Sequence, residues 1–111
     1  MPTYITQGRY TRDAIKGMIV RPEDRADAVA RLLAKVGGRL LGYYVTFGDY
    51  DFLAIAEAPN DVQMAAALFA AGSGGGVTDL RTTVALTSIE AKGAFAAASD
   101  IAPGFKSAGG A

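Results

Sequence analysis

Apolar and polar positions alternate most clearly over residues 39–59, RLLGYYVTFGDYDFLAIAEAP, where two strand-like runs flank a turn of Gly48, Asp49 and Tyr50. Leu41, Tyr43, Val45 and Phe47 alternate with Leu40, Gly42, Tyr44 and Thr46, and beyond the turn Phe52, Leu53 and Ile55 lead to Glu57. This pattern predicts a β-hairpin. Residues 3–9 alternate similarly, Tyr4 and Thr6 against Ile5 and Gln7, and predict a first strand. Residues 77–87, dominated by threonine and β-branched side chains, predict a fourth.

Between these strands the period changes to that of a helix. Thr11 is suited to cap a short helix, with Asp13 at its positive end and Ile15 and Met18 expected to turn inward. Pro22, which loses no hydrogen bond in a first helical turn, predicts the start of a second, followed by Glu23 and Asp24. There Ala26, Val29, Ala30, Leu33 and Val36 form an inner stripe, with Arg25, Asp27, Arg31 and Lys35 largely outside. Gly37 and Gly38 close it. Asn60 and Asp61 open a third helix over 62–71, around Met64, Leu68 and Phe69. Thr87 and Glu90 form a capping box for a last helix reaching about residue 98.

Strand, helix, strand, strand, helix, strand is the order of a ferredoxin-like α+β fold: a four-stranded antiparallel sheet with helices on one face, here with an extra C-terminal helix. The expected organisation is one domain over residues 1–98 and a Gly/Ala-rich tail over 99–111, with Ile101 and Phe105 available to fix that tail to a neighbouring chain. A chain of 111 residues supports one core. Half of its residues are hydrophobic and its mean hydropathy is +0.20, rich for so small a domain. A second copy covering the open sheet face is therefore expected.

Charge and composition narrow the chemistry. Eleven basic and eleven acidic side chains cancel, which favours neither nucleic acid nor a membrane surface as partner. No cysteine or histidine is present, which removes disulfides, thiol nucleophiles and the usual imidazole base, and argues against a metal site. No run of about 18 uncharged apolar residues occurs, and a cytoplasmic location is expected. The glycines at 72–76 follow a helix and precede a strand, the reverse of a phosphate-binding loop, so they read as a connection.

Candidate chemistry is concentrated in the hairpin. Asp51 and Glu57 are candidate proton acceptors and Tyr43 and Tyr50 candidate hydrogen-bond donors; Asp49 and Asp51 suit turn amides equally well. Asp51 and Glu57 share a strand face but stand about 20 Å apart, too far to act as an acid pair. Tyr43 and Tyr44 point to opposite faces, so only one can line a cavity between sheet and helices. Tyr4, Arg9, Tyr44 and Arg81 are the candidate ligand-binding residues. Arg9 and Arg81 lie in strands and either pair with Asp51, Glu57 or Asp79 or hold a ligand carboxylate.

Residues 46–52, Thr-Phe-Gly-Asp-Tyr-Asp-Phe, and residues 54–59, Ala-Ile-Ala-Glu-Ala-Pro, resemble the GYD domain family of small bacterial and archaeal proteins. Gly48, Tyr50 and Asp51 match its signature by type, with Asp49 inserted between the first two, and the likeness extends over roughly residues 2–90. The resemblance implies a dimeric α+β barrel, similar in fold to cofactor-free monooxygenases, cyclases and chlorite dismutase-like proteins, and it implies no cofactor. Three functions follow as expectations. The first is a homo-oligomeric module binding a small apolar or aromatic ligand. The second is a cofactor-free cyclase, isomerase or monooxygenase acting on an aromatic or polyketide-like compound, and the third is a structural subunit whose tail links neighbours.

Overall fold

Hydrogen bonding joins the four predicted strands into one antiparallel sheet in the computed structural model, which describes residues 1–110. Residue 111, the last of the predicted tail, lies outside the described residues. The sheet comprises β1 (Thr3–Tyr10), β2 (Arg39–Val45), β3 (Phe52–Glu57) and β4 (Val77–Ala85), in the order β2-β3-β1-β4. The helices α1 (Arg12–Val20) and α2 (Arg25–Lys35) connect β1 to β2, and α3 (Asp61–Ser73) connects β3 to β4. This is the ferredoxin-like topology. A fourth helix, α4 (Ser88–Ile101), and one 3-10 turn at Ala102–Gly104 follow.

Local chemistry sets most boundaries. Thr11, Asn60 and Thr87 each accept a backbone N–H of the first turn that follows, and Glu90 completes the capping box by accepting from the Thr87 amide. The second helix starts later than Pro22 predicts. Asp24 is its cap, accepting from the Ala26 amide, so residues 22–24 are a connection. At the far end Gly37 takes φ 77°, and the Gly38 and Gly37 amides donate to Leu33 and Ala34 carbonyls, a Schellman closure.

The core lies between the sheet and helices α2 and α3. Tyr4, Leu33, Ala56, Ala58, Met64 and Ala67 form its buried centre, with Val29, Leu32, Val36, Leu40 and Leu68 packed around them. In β2 the strict alternation fails. Leu40 pairs with Ala56 and Tyr43 with Ala54, so the irregularity between Leu40 and Gly42 turns both Leu40 and Tyr43 toward the helices and leaves Leu41 exposed. One inward placement also differs from expectation: Ile15 is exposed, and Phe69 on α3 is exposed as well, since among the described residues the outer faces of α1 and α3 have no element above them.

The opposite sheet face carries no helix among the described residues. Register places Tyr44, Leu53, Gln7 and Arg81 in one row across it, and Ile55, Ile5 and Thr83 in the next. Leu53, Ile55 and Ile5 thus give its two middle strands an apolar patch beside Gln7, while Arg81 and the Arg39–Glu57 ion pair stand toward the edges. Helix α4 has no buried residue and packs closely only on the turn that follows it. Its projection gives the chain a radius of gyration of 18.0 Å, against about 13 Å for a compact chain of this size, and a long dimension of 62 Å. Among the described residues no helix is long and apolar enough to cross a membrane.

Gly38 tests the close approach of α2 to β3. A Cβ there would collide with the Glu57 carbonyl oxygen, whereas one at Gly17, inside α1, would meet nothing. Gly38→Ala is expected to destabilise by about 1–3 kcal/mol, and Gly17→Ala to stabilise by about 0.5–1 kcal/mol, in urea unfolding.

Candidate ligand-binding cavity

Small side chains leave space where larger ones would close the core. Ala54 and Ala56 on β3, Ala67 and Ala71 on α3, and Gly76 before β4 border a cavity of about 230 Å³ between the sheet and the two helices. Val29, Leu32 and Leu33 of α2 and Met64 and Leu68 of α3 supply its apolar wall. For scale, a cavity of about 150 Å³ lined by aliphatic and aromatic side chains holds benzene.

One end of this chamber is aromatic. Phe52 packs directly over Gly8, where a Cβ would lie 2.7 Å from both Phe52 Cζ and Leu80 Cδ2. Its ring is flanked by Tyr43, stacked at 5.7 Å, and by Tyr10, tilted at 5.2 Å. The Tyr10 and Tyr43 hydroxyls bond to one another. Burial, and then the bond to Tyr10, push the Tyr43 phenol far above the ordinary tyrosine range, while the nearby Arg25 charge acts in the opposite sense. Tyr43 is therefore a neutral hydrogen-bonding group at physiological pH, and whichever phenol accepts within the pair keeps its own proton to donate.

Other polar groups are satisfied within the wall. The Thr6 and Thr82 hydroxyls bond at 2.9 Å, and no buried side-chain nitrogen or oxygen lacks a partner among the described residues. Arg25 stands at the cavity mouth, where one of its five N–H groups donates to Glu23 at 3.1 Å. Arg25 is expected from the inner stripe of its helix to lie largely on the outer side, and it borders the cavity instead. The available signal was spacing, since Arg25, Val29 and Leu32 recur at i, i+4 and i+7 and so share one face.

The sequence-predicted site residues do not converge on one point. Tyr43 lines the chamber; Tyr44, its neighbour, is exposed on the open sheet face. Asp51 joins the hairpin to β1, its carboxylate accepting from the Tyr10 amide at 2.9 Å and its own amide donating to the Gly8 carbonyl. Glu57 accepts from Arg39 at 2.8 Å at the far end of β3. Tyr4 is buried in the core and donates to Asp61 at 2.6 Å.

Three of these residues do meet elsewhere. Arg9, Tyr50 and Arg81, with Asp79 and Leu80, surround a surface hollow of about 290 Å³. Arg9 is already engaged there: it donates to the Asp49 carbonyl at 2.8 Å, lies 3.7 Å from Asp79 and sits 5.4 Å over the Tyr50 ring. The signature residues thus have physical roles in the hairpin. Gly48 takes φ 150° at the turn, Tyr50 lies beneath Arg9, and Asp51 anchors the strand behind it. No group of three or more Asp or Glu residues is placed to hold a metal ion among the described residues.

The chain matches the GYD domain family over residues 4–95 and belongs to it. It is 30% identical over 77 residues to a Thermus thermophilus protein named "Glutamine synthetase and cystathionine beta-lyase binding protein", a match covering 69% of this chain and 81% of that one. The crystal structure of TTHA0845, also from Thermus thermophilus, has the same fold, with a TM-score of 0.52 at 18% identity, covering 79% of this chain and 96% of the other.

Titration at alkaline pH reports on the Tyr4 anchor. Its bond to Asp61, burial and the Asp61 charge together push the phenol up to about 12 from an ordinary value near 10. The folded state therefore holds this proton where the unfolded chain has released it, so the contribution is complete below pH 10 and declines as pH rises toward 12. Tyr4→Phe is expected to flatten that decline in unfolding free energy between pH 10 and 12.

Proposed function

We propose that the protein is a binding module that takes a small, partly apolar molecule into the chamber between its sheet and helices α2 and α3, and that it works as a homo-oligomer. The observation carrying this reading is the chamber itself: about 230 Å³ bordered mostly by apolar side chains, with Thr6, Arg25 and Tyr43 as its few hydrogen-bonding side chains. That division is characteristic of small-molecule sites, whose apolar walls supply affinity and whose few polar groups fix orientation. Among the described residues no aspartate or glutamate lines the chamber, so retention of a ligand fits its wall better than proton abstraction from one.

Two exposed surfaces support self-association. One is the open sheet face, with Ile5, Leu53, Ile55 and Tyr44 inside a polar rim, a distribution typical of protein interfaces. The other is α4, where Ala91, Ala94, Phe95, Ala98 and Ile101 recur at helical spacing, with Phe95 77% and Ile101 74% exposed. A lone helix of 14 residues is marginal in water, and packing on a second copy would stabilise it. The sheet-to-sheet dimer and the barrel it would form belong to this proposal.

A second reading is docking onto other proteins. The name of the Thermus thermophilus relative describes it as a binding protein for two enzymes, and the same exposed surfaces offer a place for a protein partner.

Chamber occupancy is tested by calorimetric titration with 3-phenyl-1-propanol. Saturable binding of one molecule per chain is expected, and Ala67→Leu, which fills the chamber, is expected to abolish it while keeping or raising stability by about 1–2 kcal/mol. Absence of saturable binding, or unchanged binding in a folded Ala67→Leu protein, overturns the reading. For assembly, sedimentation velocity is expected to give a multiple of the 11.4 kDa chain mass and a smaller particle after removal of residues 88–111. A monomer at tens of micromolar contradicts self-association.

A further inference from the structure

Beside the apolar chamber lies a second hollow of about 310 Å³, bordered by α1, the segment leading into α2 and the start of β4. The two spaces share Arg25, Gly76 and Val77 as boundary residues. Tyr43 faces the inner space and Tyr10 the outer one, and their bonded hydroxyls link the two walls. The outer hollow differs in chemistry. Arg21, Glu23 and Arg25 all border it, giving two cations and one anion. Arg21 has no ion-pair partner within 4.0 Å among the described residues.

We propose that chamber and outer hollow form one site for a small aryl or alkyl carboxylate, its hydrocarbon part against Leu32, Leu68 and Phe52 and its carboxylate held by Arg25 and Arg21 beside the phenol pair. This rests on the chamber being a ligand site and adds the chemical class of its ligand. The inner wall offers no full charge, so an ionic end must remain at the boundary, where the guanidinium groups are. A planar guanidinium with several free N–H groups matches a carboxylate in two parallel hydrogen bonds. The existing Arg25–Glu23 contact does not prevent this. Its side chains are 34% and 50% exposed, and so exposed a pair is weak enough for a better-placed carboxylate to displace Glu23. Glu23 then becomes a brake on affinity.

Two probes with one carbon skeleton separate this inference from the reading beneath it. Calorimetry at pH 7 compares 3-phenylpropionate with 3-phenyl-1-propanol, in which a neutral hydroxymethyl group replaces the carboxylate. The carboxylate is expected to bind at least tenfold more tightly. Arg25→Gln is expected to remove that preference, bringing the ratio of the two affinities to within about twofold of one, and Glu23→Gln to strengthen carboxylate binding severalfold. Raising salt from 50 to 500 mM is expected to weaken the carboxylate alone. Equal affinities for the two probes overturn the carboxylate assignment while the chamber reading stands. A preference that survives in folded Arg25→Gln and Arg21→Gln proteins also overturns it. Failure of both probes to bind removes the chamber reading together with the assignment.

Discussion

Phe52 seated over Gly8 is the contact on which the architecture of the site depends. A hydrogen atom in place of a side chain at position 8 lets the ring descend onto β1, and Leu80 reaches the same spot from β4. Three strands thus meet at one point. The ring then fixes Tyr43 on one side and Tyr10 on the other, which brings their hydroxyls together and closes one end of the chamber. Asp51, one residue before Phe52, reinforces the arrangement through its two hydrogen bonds to β1. The family signature therefore positions a cavity wall from outside the cavity.

The chamber reflects a balance between packing and access. Alanines on β3 and α3 permit close approach of backbones, yet together with Gly76 they leave a space that the larger side chains of α2 do not fill. A ligand that fills the chamber removes its apolar wall from water and stabilises the folded chain through mass action.

Local features are readable in the sequence because their causes are local. Thr11, Asn60 and the Thr87–Glu90 pair mark helix starts by side-chain bonds spanning three residues, and Gly37–Gly38 marks a helix end. Alternation alone separates Tyr43 from Tyr44. Pro22 points to too early a start for α2 because it and Asp24 both suit a first turn, and only the bond from the Ala26 amide distinguishes them. The irregularity at Leu41 breaks the expected face assignment in β2, since one extra residue reverses every side chain beyond it. Spacing from Val29 can put Arg25 on the inner face of α2, but its place at a cavity mouth depends on how two helices remote in sequence sit on one sheet, which no periodicity encodes. The surroundings of Arg9 and Arg81 likewise depend on the β1–β4 irregularity, where Asp79 adopts φ 52°.

The most direct test of the central claim is a methyl-resolved NMR titration of the intact protein with 3-phenylpropionate. Saturable shifts confined to the chamber methyls of Val29, Leu32, Leu68 and Leu80, with Ile5 and Ile55 on the open sheet face unchanged, are the result the account requires. Shifts concentrated at Ile5 and Ile55, or none at the chamber methyls up to millimolar ligand, would contradict it.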